Sequence, residues 1–122
     1  MNNNKLTNQD KGNNGENVAT AYLLQKGYTI LERNWRYKHS EIDIIASKNS
    51  KLHFVEVKTR TNKQFGNPEE SVGVKKMNAL KKGADEYLFQ HQEWKFIEFD
   101  IISIKMSGEK IEEIFFIEDV FF

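Results

Sequence analysis

The 122-residue chain predicts one α/β domain, a mixed central β-sheet flanked by α-helices in the order α-β-β-β-α-β-β. Three observations carry that expectation. Two stretches space their apolar residues as helices do, and five shorter ones are rich in Ile, Val, Phe or Tyr as strands are. Short polar or glycine-containing turns separate them, with no internal repeat and no linker. The length suits one hydrophobic core and is short for two.

In chain order, residues 1–13 are Asn-rich, polar and without periodicity, and read as a disordered tail ahead of a domain spanning 14–122. A first helix is expected over 15–26, where Val18, Tyr22 and the pair Ala19/Leu23 form an apolar stripe and Gly27 is placed to end it. Residues 28–32 read as a short strand. Residues 41–46 and 52–58 read as two more, joined by Ser-Lys-Asn-Ser-Lys. Residues 59–67 read as a loop. Pro68 suits the first turn of a second helix, with Glu69 and Glu70 favourable at its positive end. That helix should reach about Gln90, turning Val72, Met77, Leu80, Ala84 and Tyr87/Leu88 inward, although Gly73 is awkward so early and allows a start nearer Lys75. Strands near 95–105 and 111–117 complete the set.

Composition excludes several classes. A hydrophobic content of 39% fits a globular rather than a disordered chain. No run approaches the roughly 20 apolar residues of a membrane span. The start, Met1-Asn2-Asn3-Asn4-Lys5, lacks the apolar core of a secretory signal. Without cysteine there are no disulfides and no thiolate metal sites. A cytoplasmic protein with no membrane partner is the expectation. Net charge is zero, but between Arg33 and Lys63 eight basic residues face three acids, and from Glu109 onward one lysine faces five acids. Such asymmetry fits a nucleic-acid face, and equally an ordinary uneven surface.

The informative stretch is the hairpin Glu41-Ile-Asp-Ile-Ile-Ala46 to Phe54-Val-Glu-Val-Lys58. Side chains alternate along a strand, so Glu41, Asp43 and Ile45 share one face, as do Phe54, Glu56 and Lys58. If the turn is even, for example Lys48 to Lys51, Asp43 lies across from Glu56 and Glu41 across from Lys58, with facing Cβ atoms about 5 Å apart. Two carboxylates at that range repel, and a hard divalent ion such as Mg²⁺ or Mn²⁺ would compensate them while binding phosphate oxygens and water. Such an ion polarises a phosphate and acidifies a bound water. Lys58 would orient that water or stabilise developing charge, and Glu16, at the head of the first helix, could reach the ion's waters. A surface hairpin with a Glu41–Lys58 ion pair and a solvated Asp43 fits the same residues. A one-residue slip in register would separate Asp43 from Glu56.

These residues also carry a resemblance. Gly15-Glu16-x-x-Ala19-x-x-Tyr22-Leu23, Gly27-Tyr28, Leu31-x-x-Asn34-Trp35-Arg36, Glu41-Ile-Asp-Ile-Ile-Ala46, Phe54-Val-Glu-Val-Lys-Thr-Arg60, Phe65-Gly66, Lys76 and Phe99-Asp100 resemble the YraN-like bacterial proteins over about residues 12–104. That family is similar in turn to archaeal Holliday-junction resolvases of the PD-(D/E)xK, restriction-endonuclease-like superfamily. The resemblance implies a restriction-endonuclease-like sheet and a Mg²⁺- or Mn²⁺-dependent phosphodiesterase site acting on structured or single-stranded DNA. By position it implies Glu16 as the helical acid, Asp43 as the strand acid, and Glu56 and Lys58 as the E-x-K pair. Ile42 stands where the superfamily motif has proline. The implied activity rests on analogy of fold and site. A non-catalytic nucleic-acid-binding module, or a scaffold with structural ion pairs, shares the same fold.

Arg33, Arg36 and Arg60 are the only arginines and all fall in this neighbourhood, where guanidinium groups suit phosphate. Lys75 and Lys76 could add backbone contacts, against the simpler reading of a solvated helix face. Trp35 and Phe65, expected in loops, are candidates for base stacking or, more simply, for packing. His39, His53 and His91 lack ligand spacing, and His53 falls on the strand face opposite Glu56, so no metal role is expected of it. Asp100 reads as structural. The apolar residues 115–117 and 120–122 suit edge packing, or the contact of a homodimer such as resolvase-like proteins form.

Overall fold

A computed structural model describes residues 8–61 and 73–120. The elements are α1 (Asn8–Gln25), β1 (Thr29–Tyr37), β2 (Ser40–Lys48), β3 (Lys51–Thr61), α2 (Val74–Gln90), β4 (Phe96–Ser107) and β5 (Lys110–Ile117), in the expected order. The five strands form one sheet, ordered β1-β2-β3-β4-β5. Neighbours are antiparallel except β3 and β4, which run parallel because α2 lies between them in sequence. The sheet is therefore mixed, with a helix on each face.

Alternation along β3 divides the core. Val55 faces α1, joining Ala19, Leu23, Ile44, Ala46, Ile102 and Ile104. Leu52 and Phe54 face α2, joining Ile45, Met77, Leu80, Ala84 and Tyr87. Gly15 and Gly83 allow the close approach of each helix. A Cβ at Gly15 would meet the Thr59 hydroxyl on β3, and one at Gly83 would press on Ser40 and Ile42.

Boundaries differ from expectation for identifiable reasons. Helix α1 begins at Asn8 rather than Gly15, because the Asn-rich stretch carries no apolar stripe to reveal it. Residues 1–7 of the expected tail lie outside the described residues. Strand β1 runs on through Asn34, Trp35 and Arg36 to Tyr37 instead of ending at Glu32. Trp35 is thus not in a loop, and it packs edge-on against Tyr87 at 5.4 Å between centroids. Strand β3 extends to Thr61, and α2 begins at Val74 after Gly73. Pro68 and Phe65 lie outside the described residues. Phe116 packs against Tyr22 and Tyr28, and Phe115 lies beneath the Arg60 guanidinium, whereas Phe121 and Phe122 lie outside the described residues.

The β2–β3 turn sets the register on which the site depends. Lys48 pairs with Lys51, Ser47 with Leu52 and Ile44 with Val55, the even-turn register expected from the sequence. Both turn residues are left-handed, Asn49 at φ 52° and Ser50 at φ 65°, the geometry of a type I′ hairpin. Asn tolerates this conformation, but Ser does so at a cost that Gly avoids. Ser50→Gly should raise stability by about 0.5–1 kcal/mol without altering the register, read as a Tm rise of a few degrees in thermal denaturation.

Candidate functional site

The β1–β2 ribbon turns over at one point, and Asp43 stands there. Arg33 and its partner Ile44 face α1, whereas Trp35 and its partner Ile42 face α2. Between them lies Asn34, at φ 54°, with Asp43 opposite. The backbone conformation that lets Asn34 reverse the alternation is one that Asn adopts more readily than most residues. It corrects the expectation of unbroken alternation on β2: Ile42 joins Ile45 in the α2 layer.

The β2–β3 ladder ends here as well. Its last paired residues are Ile44 and Val55, so Asp43 and Glu56 are not ladder partners. Instead the strands part and the Asp43 carboxylate enters the gap, where Oδ2 accepts the Val57 N–H at 2.8 Å. A backbone donor that would have bonded across the ladder is thereby satisfied. Glu41 does not face Lys58 either, but pairs with Arg36 on β1 at 3.1 Å.

Asp43 and Glu56 are 9% and 3% exposed. Burial, then the nearby Glu56 charge, pushes the Asp43 carboxyl up to about 7. Burial also raises Glu56, opposed by the Lys76 ammonium and by a hydrogen bond with Asp43. Lys76 Nζ, on the first turn of α2, lies 3.0 Å from Glu56 Oε2. Burial works against the charge on Lys76, but the carboxylates around it prevail and hold its ammonium above the ordinary range. Glu56 Oε1 is buried with no hydrogen-bond partner.

The remaining candidates fall into two groups. Glu16, on α1, is raised by burial and next by the Asp43 charge, which places it in electrostatic contact with the site. Its Oε1 lies 3.6 Å from Arg33 Nη2, which also donates to Asn17 Oδ1 at 2.9 Å. Lys58 is half-buried on β3, on the face Glu56 shares by alternation. Arg33, Arg36 and Lys76 ring the acids, each paired with one of them. Arg60 does not join the rim. It is buried, with its guanidinium 5.7 Å from the centroid of Phe115.

A second polar cluster escaped the sequence reading. On the α1 face, at the opening of β3 and β4, His53, Glu98 and Asp100 bring ligand atoms within 4.8 Å of one another, close enough to hold a metal ion. His53 does face away from Glu56, as alternation requires, but it is not without metal-ligand neighbours. Its partners come from the parallel strand β4, which pairs His53 with Glu98 and Val55 with Asp100. The signal in the sequence was Glu98-x-Asp100, two acids on one strand face. Asp100 is fully buried and pairs with His53, Oδ2 lying 2.7 Å from Nδ1.

Fold and site together define a restriction-endonuclease-like α/β protein with buried carboxylates at the parting of two strands. The chain belongs to the uncharacterised protein family UPF0102, whose model matches residues 15–104. It is 44% identical to a UPF0102 protein of Chlorobium phaeobacteroides over 84% of this chain and 82% of that one. It is 46% identical to one from Dictyoglomus turgidum, over 84% and 87%. A Clostridioides difficile relative is 43% identical over 89% and 96%. Among solved structures, Pyrococcus furiosus SfsA in complex with Ca²⁺ is similar at a TM-score of 0.31 and 17% identity, over 88% of this chain and 62% of that one. A likeness at that level carries nothing about the chemistry of this chain. No helix among the described residues is long and apolar enough to cross a membrane.

The Asp43 shift has a measurable sign. Its folded pKa of about 7 exceeds the ordinary 3.8, so its contribution to stability is full below the ordinary value and is lost as pH rises through about 7. Asp43→Asn removes that titration and keeps an acceptor for the Val57 N–H. In metal-free protein, the Tm of wild type relative to this variant should therefore fall by roughly 4 °C or more between about pH 5 and about pH 8. A difference that stays flat across that range would mean Asp43 is not held beside Glu56 in a buried site.

Proposed function

We propose that this chain is a metal-dependent endonuclease acting on structured or single-stranded DNA, with Asp43 and Glu56 as ligands for Mg²⁺ or Mn²⁺. The observation that carries this reading is the Glu56 carboxylate, buried with one oxygen unpartnered beside an Asp43 held near neutral acidity. An orphaned carboxylate oxygen in a buried site costs free energy that a cation would recover. Two carboxylates suit Mg²⁺, which is commonly held by one or two acids with water and substrate phosphate completing its shell. When bound, the ion would polarise a phosphodiester and lower the pKa of a water.

The chain's own residues would do the rest. The Val57 N–H fixes the orientation of Asp43. Lys58, on the Glu56 face, would orient the attacking water or steady charge on the phosphate. Glu16 adds negative potential from the α1 side and would hold the ion's waters. Lys76 would exchange its carboxylate partner for a phosphate oxygen, and Arg33 and Arg36 would grip the backbone on either side of the acids.

A second reading keeps the phosphate contacts and drops the chemistry. Lys76 favours it, since its ammonium already compensates Glu56 at 3.0 Å as a bound cation would. Calorimetric titration with Mg²⁺ and Mn²⁺, followed by incubation with branched and single-stranded DNA, separates the two. The nuclease reading expects metal binding and cleavage in wild type, both lost in Glu56→Gln. Salt-dependent DNA binding that persists in Glu56→Gln, with no metal uptake in wild type, would establish the binding module instead. Neither metal nor DNA binding would overturn both. Lys76→Met removes the competing cation, so it should tighten Mn²⁺ binding by roughly tenfold, about 1.4 kcal/mol, while weakening DNA binding.

A further inference from the structure

We propose that His53, Glu98 and Asp100 form a second metal site, specific for a divalent ion of the zinc class, on the sheet face opposite Asp43 and Glu56. The three residues are 5%, 9% and 1% exposed. Parallel pairing of β3 with β4 sets His53 beside Glu98, and strand alternation returns Asp100 to the same face. His53 Nδ1 lies 2.7 Å from Asp100 Oδ2 and 3.6 Å from Glu98 Oε2. These spacings bracket the roughly 3.3 Å edge of a tetrahedron built on ~2.0 Å bonds to zinc.

One oxygen of each carboxylate is tied to the scaffold and the other is turned inward. Asp100 Oδ1 accepts the Asp119 N–H at 2.9 Å, and Glu98 Oε1 accepts from Lys51 Nζ at 3.1 Å. The inward oxygen of Glu98, Oε2, is buried and has no hydrogen-bond partner. A cluster serving only as an ion pair would leave that atom unsatisfied at a cost. A cation between Nδ1, Oδ2 and Oε2 satisfies it and takes the place of the hydrogen bond between His53 and Asp100. Supporting contacts of this kind orient metal ligands generally, and the Tyr28 ring packs edge-on against His53 at 5.0 Å.

Access and selectivity follow from the surroundings. A cleft of about 200 Å³, lined by Tyr28, Lys48, Asn49, Lys51, His53, Glu98 and Glu118, opens the cluster to solvent and leaves room for a water as fourth ligand. One imidazole with two carboxylates suits Zn²⁺ or Co²⁺, whereas Mg²⁺ prefers oxygen alone. The ion would pin β3 to β4 and, through Asp100, hold the segment after β5. That makes the role structural and independent of DNA cleavage.

Cobalt is the direct probe, because its visible absorption reports coordination. Metal-free wild type titrated with Co²⁺ should develop absorption saturating at one ion per chain, be displaced by Zn²⁺ and not by Mg²⁺, and show a raised Tm. Asp43→Asn combined with Glu56→Gln should leave this unchanged, which separates the site from the proposed nuclease centre. Glu98→Gln keeps the side-chain volume and an acceptor for Lys51, and should weaken Co²⁺ binding by at least about tenfold. His53→Gln should abolish it. Absence of the absorption in wild type, its survival in both Glu98→Gln and His53→Gln, or its loss in the Asp43/Glu56 double variant would overturn the proposal.

Discussion

Both buried acidic centres of this molecule depend on how β3 is paired. It has an antiparallel neighbour, β2, on one side and a parallel neighbour, β4, on the other. The antiparallel register, set by a two-residue turn, carries Glu56 towards Asp43. The parallel register, set by the return of α2, carries His53 to Glu98 and Asp100. Because side chains alternate, the two acidic centres form on opposite faces, about 10 Å apart along one strand. A one-residue slip of either neighbour would dissolve one centre and leave its carboxylates buried among Ile, Val and Phe.

Such burial is expensive, and the fold meets the cost differently in each place. At Asp43 the ladder itself is interrupted, and a backbone N–H is given to the carboxylate. The turnover at Asn34 lets this one residue communicate with Glu16 on the α1 side and Glu56 on the α2 side. No regular strand residue could do that, since regular alternation commits a side chain to one face. At Asp100 the strand stays regular, and compensation comes from an imidazole and from the backbone beyond β5. Local distortion at one centre and long-range side-chain partners at the other are two solutions to the same desolvation problem.

This contrast explains what the sequence disclosed. The hairpin register was legible because Lys48 to Lys51 closes evenly and Ile44, Ile45, Phe54 and Val55 leave little freedom about which side is buried. Glu56 and Asp43 were legible as a pair for the same reason. The turnover was not, because Asn34 reads as an unremarkable polar residue until its φ is known. Without it, β1 appeared to stop at Glu32 and Trp35 fell into a loop. The contact of Lys76 with Glu56 was equally hidden: which face of α2 rests on the sheet can be read from Met77, Leu80 and Ala84, but not how far α2 lies along β3. His53 with Glu98 and Asp100 required the pairing of strands separated by an entire helix, which no local spacing encodes.

The two centres also differ in the donors they offer, and that difference bears on how they act. Asp43 and Glu56 present only oxygen, and their cationic neighbours Lys76, Arg33 and Arg36 are at least partly exposed on side chains long enough to swing away. An oxygen site ringed by partly exposed cations suits weak, exchangeable binding of a hard ion together with an anionic ligand that displaces the ring. His53, Glu98 and Asp100 present nitrogen and oxygen, are almost fully enclosed, and have their outer atoms fixed by Lys51 and the Asp119 backbone. Enclosure and fixed outer contacts suit a resident ion that adds to the stability of the fold. One strand thus separates two sets of donors, oxygen alone on its α2 face and nitrogen with oxygen on its α1 face.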